Sequence, residues 1–250
     1  MGVFLLADSH CHLDWFENPQ KIAEKAANAR VQYFLSNATD LDSLKKHVSM
    51  AGKIAGLKIA LGVHPTYVMK MNGAELEEAY LIAEKNISLA SSVGEVGIDF
   101  KHANEASQRE LQEEWFLRYI RLASKNNLPI SVHARYAETR ALDMLEQEGA
   151  KKVHLHWFTN SKKTVSRAIS LGYYISAGPI ILHDEPSAKV VMGIPLENLL
   201  LETDAPVEFG GKKSDPSWIP VVCDKIAGLK GVSSQEVEKA TGDNFSKLFI

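Results

Sequence analysis

The chain has 250 residues, 45% hydrophobic and 24% charged, which is ordinary for a globular protein with a full apolar core. Its formal net charge of −3 excludes a wholly basic surface that binds nucleic acid by charge alone. Two cysteines, Cys11 and Cys223, exclude a disulfide framework and suit a reducing compartment. The sequence shows no secretory signal, no apolar stretch long enough for a membrane span and no sign of an obligate protein partner, so we expect a cytoplasmic protein.

Short apolar runs alternate with longer amphipathic stretches along the chain. Such runs are typical of parallel strands buried on both faces. The predicted strands are Phe4–Ala7, Tyr33–Leu35, Leu57–Leu61, Leu89–Val93, Leu128–Val132, Lys152–Leu155, Gly172–Ile175 and Asn198–Leu201. Helical periodicity is clearest over Ala74–Lys85, Ser107–Asn126, Ser161–Ser170 and Ser234–Phe249.

Strands that alternate with helices predict βα units and a parallel sheet. Eight units in 250 residues suit a closed ring of strands, so the predicted fold is an α/β, single-domain TIM-type (β/α)8 barrel over residues 1–250. An open, doubly wound sheet is the alternative. No Gly-x-Gly-x-x-Gly pattern follows the first strand, and this favours the barrel.

The segment Asp8-Ser9-His10-Cys11-His12 directly follows the first predicted strand. Residues two apart in an extended chain point to the same side, so His10 and His12 can present two imidazoles to one cation. Asp8 shares this alternation and could orient a ligand from behind. Cys11 alternates away and is interpreted as a packed small residue. By itself the pattern is equally compatible with a polar surface loop.

Four more side chains of the ligand type lie at the carboxyl ends of later predicted strands. They are Glu95, His133, His156 and Asp204. In a barrel these ends converge on one rim, where active sites are built. Six ligands are too many for one tetrahedral ion with an open position, but they suit two divalent cations that share a carboxylate. Mixed imidazole and carboxylate ligation admits zinc, manganese, magnesium or nickel.

The remaining histidines have simpler interpretations. His154 shares a face with His156 but lies deeper, so we expect a hydrogen-bonded residue of the barrel core. His64 lies at the end of the third strand, where it could contact substrate or structure the loop. Ordinary surface positions are expected for His47, His102 and His183, of which the last two could line the rim.

Cationic residues follow several of the same strand ends. Arg135, Lys162 and Lys212 would favour an anionic substrate such as a phosphodiester if they are grouped at one rim. Paired lysines are more often solvated surface, so this pattern is weak. The aromatic residues that could stack on a base or merely pack loops are Trp157, Phe158 and Trp218.

Taken together, the motifs resemble the TatD family of metal-dependent deoxyribonucleases, within the amidohydrolase-like metal barrels. The resemblance covers essentially the whole chain, and the ordered set is specific although no single piece is. The matching segments are Asp8–Asp14, Gly62–Pro65, Gly94–Phe100, Leu128–Arg135, His156–Thr159, Leu201–Pro206 and Asn244–Phe249.

The resemblance implies a TIM-type barrel that holds two divalent cations and hydrolyses phosphodiesters in DNA. The implied metal ligands are His10, His12, Glu95, His133, His156 and Asp204. Departures from the family pattern at Asn160, Gly210–Pro216 and Ile181–Glu185 leave these ligands unchanged but affect the expected substrate preference.

The first functional hypothesis is therefore a deoxyribonuclease or small phosphodiesterase that uses a metal-activated water. Glu95 would bridge the cations, and Asp204 would take the proton of the water. The residues expected to hold phosphates are Arg135, His64, Lys162 and Lys212.

Two other hypotheses remain open at this point. Related barrels hydrolyse C–N or C–O bonds of cyclic amides and lactones with nearly the same ligands. Many of them use a carboxylated lysine near the fourth or fifth strand, whereas this chain has Glu95 at the fourth, which favours the phosphodiesterase. The third hypothesis is a non-catalytic protein that kept the barrel, and the complete set of ligand-type residues argues against it.

Overall fold

Eight parallel strands alternate with helices in the computed structural model, which describes residues 5–158 and 161–250. The strands are β1 (Leu6–Cys11), β2 (Val31–Asn37), β3 (Leu57–Ala60), β4 (Val93–Asp99), β5 (Ile130–Arg135), β6 (Val153–Leu155), β7 (Tyr174–Ala177) and β8 (Leu199–Leu201). A short antiparallel hairpin follows, formed by β9 (Glu208–Phe209) and β10 (Lys212–Lys213). Three residues discussed above lie outside the described residues: Phe4 of the first predicted strand, Thr159 of the family motif, and Asn160, where the chain departs from the family pattern.

Ten α-helices accompany the strands in the described part of the chain. They are α1 (Pro19–Asn28), α2 (Leu41–Met50), α3 (Pro65–Val68), α4 (Gly73–Lys85), α5 (Ala106–Lys125), α6 (Glu138–Gln147), α7 (Lys162–Ser170), α8 (Glu185–Met192), α9 (Ile219–Lys230) and α10 (Ser234–Phe249). The four helices singled out from the sequence correspond to α4, α5, α7 and α10, each within one residue. Among the described residues, every helix is too short or too polar to cross a bilayer.

The strands pair in two parallel groups, β1–β2–β3 and β4–β5–β6–β7–β8. Single bridges, Ala60 to Ser92 and Cys11 to Ala205, join the groups at both edges and close the ring. Parallel neighbours require crossover connections, and the helices supply them. The α/β TIM-type (β/α)8 barrel is confirmed, and the open sheet is not. That residues 1–250 form a single domain stays a prediction.

The first strand extends beyond its predicted end. β1 continues from Ala7 to Cys11, so Asp8 and His10 lie within the strand rather than after it. The prediction stopped at Ala7 because polar residues interrupt the apolar run. Both faces of β1 are nevertheless buried, and hydrogen bonds inside the barrel satisfy the side chains of Asp8 and Ser9.

The fourth strand is displaced from its prediction. The segment Ile87–Leu89 forms a 3-10 turn, and β4 runs over Val93–Asp99 instead of Leu89–Val93. Pairing with β5 continues to the end of β4, where Asp99 faces Arg135. Glu95 therefore projects from inside a strand, because glycine and glutamate end the apolar pattern without ending the backbone ladder.

Helix α10 covers the amino end of the barrel. Its side chains Phe245, Leu248 and Phe249 pack with inward residues of β1, β2 and β8. Asn244 Nδ2 donates to the Leu199 carbonyl at 2.8 Å and ties the helix to the start of β8. Apolar packing fills this end, so the polar side chains of the barrel interior are left to the middle and the carboxyl end.

Candidate metal centre

The first two imidazoles come from β1 and the residue that follows it. His10 is completely buried within β1, and His12 is 4% exposed. Two backbone bonds hold this segment beside the loop after β8: Asp204 N donates to the His10 carbonyl at 2.9 Å, and His12 N donates to the Ala205 carbonyl at 2.7 Å. The two rings therefore enter the same space, with centroids 5.1 Å apart.

Glu95 lies between two groups of imidazoles. Its Oε2 atom is 3.3 Å from His10 Nε2 and 3.5 Å from His12 Nε2. Its Oε1 atom is 3.0 Å from His133 Nδ1 and 3.9 Å from His156 Nε2. His64 Nε2 is also 3.6 Å from Oε1. Each carboxylate oxygen thus faces a different group of rings, which is the arrangement in which one carboxylate can be shared by two cations.

The glycines beside Glu95 allow β4 and β5 to approach closely. Gly97 has φ +143°, and a Cβ placed there would collide with the His133 carbonyl. A Cβ at Gly94 would lie 2.7 Å from the Ser131 Cβ. Only glycine fits such a close backbone approach, which explains why the motif around Glu95 is rich in it.

His133 stands between two carboxylates. Its Nδ1 faces Glu95 at 3.0 Å, and its Nε2 lies 3.2 Å from Asp99 Oδ2. Asp99 is buried and also contacts His102 Nδ1 at 2.8 Å. A proton on Nε2 directed at Asp99 would leave Nδ1 free to bind a cation, with the carboxylate behind the ring increasing its basicity.

His156 and Asp204 complete the cluster. Glu202 accepts a hydrogen bond from His156 Nδ1 at 2.8 Å, so His156 Nε2 points to the cluster, 3.9 Å from Asp204 Oδ2. The other oxygen of Asp204 is 3.5 Å from His12 Nε2. Asp204 follows β8 with φ +50°, a left-handed conformation that aspartate tolerates better than most residues.

Asp8 lies behind the ligands, as its position in the motif suggests. It accepts hydrogen bonds from the backbone N–H groups of His10 at 3.1 Å and Thr203 at 3.0 Å. Complete burial outweighs these bonds and raises the pKa of Asp8 to about 8. The side chain therefore joins the two segments that carry His10 and Asp204.

The residues present fit divalent cations. Three sets have ligand atoms that all lie within 4.8 Å of one another, namely His10–His156–Asp204, His10–His12–Glu95 and His64–Glu95–His133. His10 Nε2 is buried and has no hydrogen-bond partner among the described residues. An unpartnered buried nitrogen is rare in native proteins, and coordination would satisfy it. Imidazole and carboxylate donors together suit zinc, manganese or magnesium.

Opposite charges set the protonation states of the cluster. Burial alone would raise the pKa of both Glu95 and Asp204. The facing imidazoles instead hold the pKa of Glu95 well below its usual value and lower the pKa of Asp204. Burial opposes charging of His156, yet Glu202 and Asp204 raise its pKa to about 10. At His64 burial dominates and lowers the pKa to about 3. The carboxylates are thus ionised, as metal ligation requires.

A cavity of about 530 Å³ opens above the cluster, and its lining includes His64 and Arg135. His64 Nδ1 accepts from the backbone N–H of Thr66 at 3.2 Å and so also begins α3. Lys162 lies instead in a separate surface depression beside α8, and Lys212 is exposed on β10, outside the cavity lining. Two of the four expected phosphate contacts are therefore at the site.

Several cavity residues were missed by the sequence analysis. The Trp15 ring stacks on His12 with centroids 4.5 Å apart, and Lys70 Nζ lies 4.8 Å from the centre of the Tyr67 ring. Trp157, already suspected of stacking, also lines the cavity. Their sequence signal was proximity, since Trp15 closely follows His12 and Tyr67 follows the Gly62–Pro65 motif.

The other histidines divide into core and surface. His154 is a completely buried, hydrogen-bonded core residue, as predicted, and burial holds its pKa well below the usual value. The expectation for His47 is wrong, because this ring is also completely buried. Its Nδ1 bonds the Ser43 carbonyl at 2.8 Å, and its Nε2 lies 2.7 Å from Ser36 Oγ. His102 and His183 are exposed as expected.

Comparisons with known proteins agree with this geometry. The family described as TatD related DNase matches residues 7–250. Deoxyribonuclease TATDN3 of Homo sapiens is 32% identical, with 98% of this chain and 94% of the relative covered. The uncharacterized metal-dependent hydrolase YcfH of Escherichia coli is also 32% identical, with 98% of this chain and 95% of the relative covered. The solved structure of YjjV, a TatD homolog from Escherichia coli, superposes with a TM-score of 0.90 at 26% identity, covering 99% of both chains.

A closed α/β barrel with clustered imidazoles and carboxylates at the carboxyl ends of its strands defines a metal-dependent hydrolase. The chain belongs to the TatD-related DNase family, as its motifs predicted, and is an enzyme of the hydrolase class that acts on ester bonds.

Proposed function

We propose that the chain cleaves phosphodiester bonds of DNA with two divalent cations. The observation that carries the proposal is the position of Glu95, whose two oxygens face separate groups of imidazoles. Family membership and the deoxyribonuclease among the relatives supply the substrate class. The residues that would hold the cations are His10, His12, Glu95, His133, His156 and Asp204.

Divalent cations, when bound, supply Lewis acidity, which acidifies water and neutralises the charge that builds up on phosphate oxygens. The protein supplies the proton acceptor. Asp204 is the candidate because its carboxyl is held ionised and it reaches the cavity. Asp8 and Glu202 fix the segments and rings that surround this carboxylate.

Substrate contacts follow from the cavity lining. Arg135 and Lys70 are exposed at its rim, and neither forms an ion pair with a carboxylate of the described residues, so both are available for phosphates. His64 is buried deeper beside Glu95, at 3.6 Å, and we propose that it contacts the phosphate under attack. Trp15 and Trp157 offer ring faces on which a base can stack. Since neither Lys162 nor Lys212 lines the cavity, we omit both from this set.

Cys11 and Cys223 are both buried, and they form no disulfide. Free cysteines support the further proposal that the enzyme works in a reducing compartment, the cytoplasm.

The test is cleavage of a labelled oligonucleotide by chelator-treated protein to which magnesium, manganese or zinc is returned. Glu95→Ala and His133→Ala should lose metal-dependent cleavage by roughly a hundredfold to a thousandfold, while circular dichroism shows an intact fold. The matched control is His183→Ala, which removes an exposed imidazole away from the cavity and should retain activity. Full activity in Glu95→Ala or His133→Ala would refute the proposal. Cleavage of a cyclic amide or lactone, with oligonucleotides untouched, would replace it by the C–N or C–O hydrolase.

A further inference from the structure

A second cluster of polar side chains lies in the barrel interior, directly beneath the proposed metal centre. We call it the core polar network and define it as Glu202, Ser176, His154, Ser131 and His10. Each of these residues is at most 1% exposed. They come from β7, β6, β5, β1 and the residue after β8, so the network connects the neighbouring strands β5, β6 and β7 to β1.

The network is continuous from Glu202 to His10. Glu202 Oε2 lies 2.5 Å from Ser176 Oγ, and Ser176 Oγ lies 2.8 Å from His154 Nε2. On the other edge of that ring, His154 Nδ1 is 3.0 Å from Ser131 Oγ. The last link, from Ser131 Oγ to His10 Nδ1, is 3.5 Å and the longest. Glu202 also accepts directly from His156 Nδ1 at 2.8 Å.

The direction of these hydrogen bonds is fixed at Glu202. A carboxylate only accepts, so Ser176 must donate its single hydroxyl hydrogen to Glu202. The Ser176 oxygen can then only accept from His154, which places the imidazole proton of His154 on Nε2. Ser9 supports the same assignment independently, because its hydroxyl donates to the Leu201 carbonyl at 2.8 Å and can only accept from His154 Nε2, 3.5 Å away.

The same reasoning assigns the donors and acceptors from His154 to His10. A neutral His154 with its proton on Nε2 has a bare Nδ1, which accepts from the Ser131 hydroxyl. The Ser131 oxygen is then left to accept from His10 Nδ1. With its proton on Nδ1, His10 presents a bare Nε2 to the cluster, and this is the buried atom that has no hydrogen-bond partner among the described residues.

We propose that Glu202, acting through Ser176, His154 and Ser131, holds His10 in the Nδ1–H tautomer, as it holds His156 directly. With a cation bound, both rings then direct the lone pair of Nε2 to the metal centre, where they stack with their centroids 3.6 Å apart. Ser176, His154 and Ser131 are positioning residues, since none of them reaches the cavity. The inference rests on the metal centre proposed above but not on the identity of the substrate.

The first test reads the tautomers directly. In protein labelled with ¹⁵N-histidine and loaded with zinc, two-bond ¹H–¹⁵N NMR spectra distinguish a proton on Nδ1 from one on Nε2. We expect His154 with its proton on Nε2 and His10 with its proton on Nδ1. A proton on Nδ1 of His154 would overturn the inference. Wild-type protein that binds no zinc would refute the metal centre instead, and the His154 signals of that protein would still show which tautomer the network imposes.

The second test breaks the network at two places. Ser176→Ala separates Glu202 from His154, and Ser131→Ala separates His154 from His10. Partners behind metal-binding histidines typically contribute 10- to 100-fold to affinity, so we expect each variant to bind zinc about tenfold more weakly in chelator competition, with altered His10 nitrogen shifts. Ser92→Ala is the matched control, because this buried serine bonds only backbone carbonyls. Unchanged zinc affinity and His10 shifts in both variants would contradict the proposal, and the wild-type tautomer decides it if neither variant folds.

Discussion

At the residue scale, the histidines differ in what their two ring nitrogens contact. His133 and His156 have a carboxylate behind the ring, Asp99 in one case and Glu202 in the other. For His47 the facing carboxylate is farther away, with Asp14 Oδ1 3.8 Å from Nε2, and the ring nitrogens bond a serine hydroxyl and a backbone carbonyl. The first arrangement suits a metal ligand with a fixed tautomer, whereas the second suits a structural residue. The partners of the two ring nitrogens therefore distinguish the roles of these histidines.

The rim cations give a prediction about substrate binding. Replacing Arg135 or Lys70 by alanine should raise the KM for an oligonucleotide about tenfold, roughly 1.4 kcal/mol, because each change removes a charge-assisted phosphate contact. The turnover rate with bound substrate should change much less. Steady-state kinetics at fixed ionic strength measures both. Lys53→Ala, an exposed lysine away from the cavity, should behave as wild type, and equal effects at Lys53 and Arg135 would mean that only overall charge matters.

His47 gives a prediction about acid stability. Burial lowers its pKa below the usual value, so the unfolded state binds the extra proton as the pH falls below about 6.5, and the folded state loses stability there. His47→Leu should lower the free energy of unfolding by about 1–3 kcal/mol at pH 8, since the Ser36 hydroxyl loses its acceptor. The same variant should show a shallower loss of stability below pH 6.5.

Urea titrations from pH 8 to pH 5 on wild type, His47→Leu and the exposed control His183→Ala would measure this. Parallel pH profiles for wild type and His47→Leu would show that His47 does not contribute to the acid sensitivity.

At the element scale, the site is positioned by short strands, whose side chains point into the barrel, and by helix α10, which closes the amino end. Five of the six proposed ligands come from a strand or the residue just after it, so the barrel backbone sets their distances. The sixth, Asp204, lies three residues beyond β8 and is held by backbone bonds between its loop and β1. Helix α10 fixes the opposite end. At Gly242 a Cβ would collide with the Leu5 carbonyl, so the helix lies directly against the start of β1.

This close approach predicts opposite effects for two helical glycines. Gly242→Ala should destabilise the protein by about 1–3 kcal/mol, because the helix must move away from β1. Gly228→Ala in α9 has open space around the added methyl and should stabilise by about 0.5–1 kcal/mol through helix propensity. Denaturant midpoints measure both changes. A neutral Gly242→Ala would mean that α10 is held more loosely than its packing indicates.

At the scale of the whole molecule, the alternation of apolar runs and amphipathic stretches was enough to predict the barrel. The six ligand-type residues could be named from the sequence because parallel strands end at a common rim, and the structure brings them together. The limits of β4 could not be predicted, because Gly94 and Glu95 end the apolar pattern while the pairing of β4 with β5 continues. Trp15 and Lys70 depend on how loops fold back over the rim, and periodicity carries no information about that.

The core polar network illustrates a second limit. Ser131, His154 and Ser176 sit in short runs that a hydrophobic pattern treats as apolar, and only the three-dimensional register of β5, β6 and β7 shows that they meet. Hydrogen bonds between buried polar side chains of different strands cannot be predicted from the local sequence of each strand. Lys162 and Lys212 show the converse, since following a strand end in sequence does not place a long side chain at the cavity.

Metal removal should destabilise the whole protein. The cluster holds several ionisable groups in a buried space, and a ligand that binds only the folded state adds about 4 kcal/mol at a thousandfold excess over its Kd. For a chain of this length each kcal/mol corresponds to roughly 2–4 °C in melting temperature. Calorimetry of protein with excess chelator and with added zinc should therefore show a lower Tm without metal. Identical melting curves would indicate that no cation binds the folded state.

The most direct test of the central claim is anomalous scattering from crystals soaked in manganese, recorded for wild type and for Glu95→Ala. We predict two manganese peaks in wild type, one on each side of the Glu95 carboxylate and both within coordination distance of the histidines and Asp204. In Glu95→Ala at least one peak should disappear. Manganese bound elsewhere, or no peak at the carboxyl end of the barrel, would contradict the account.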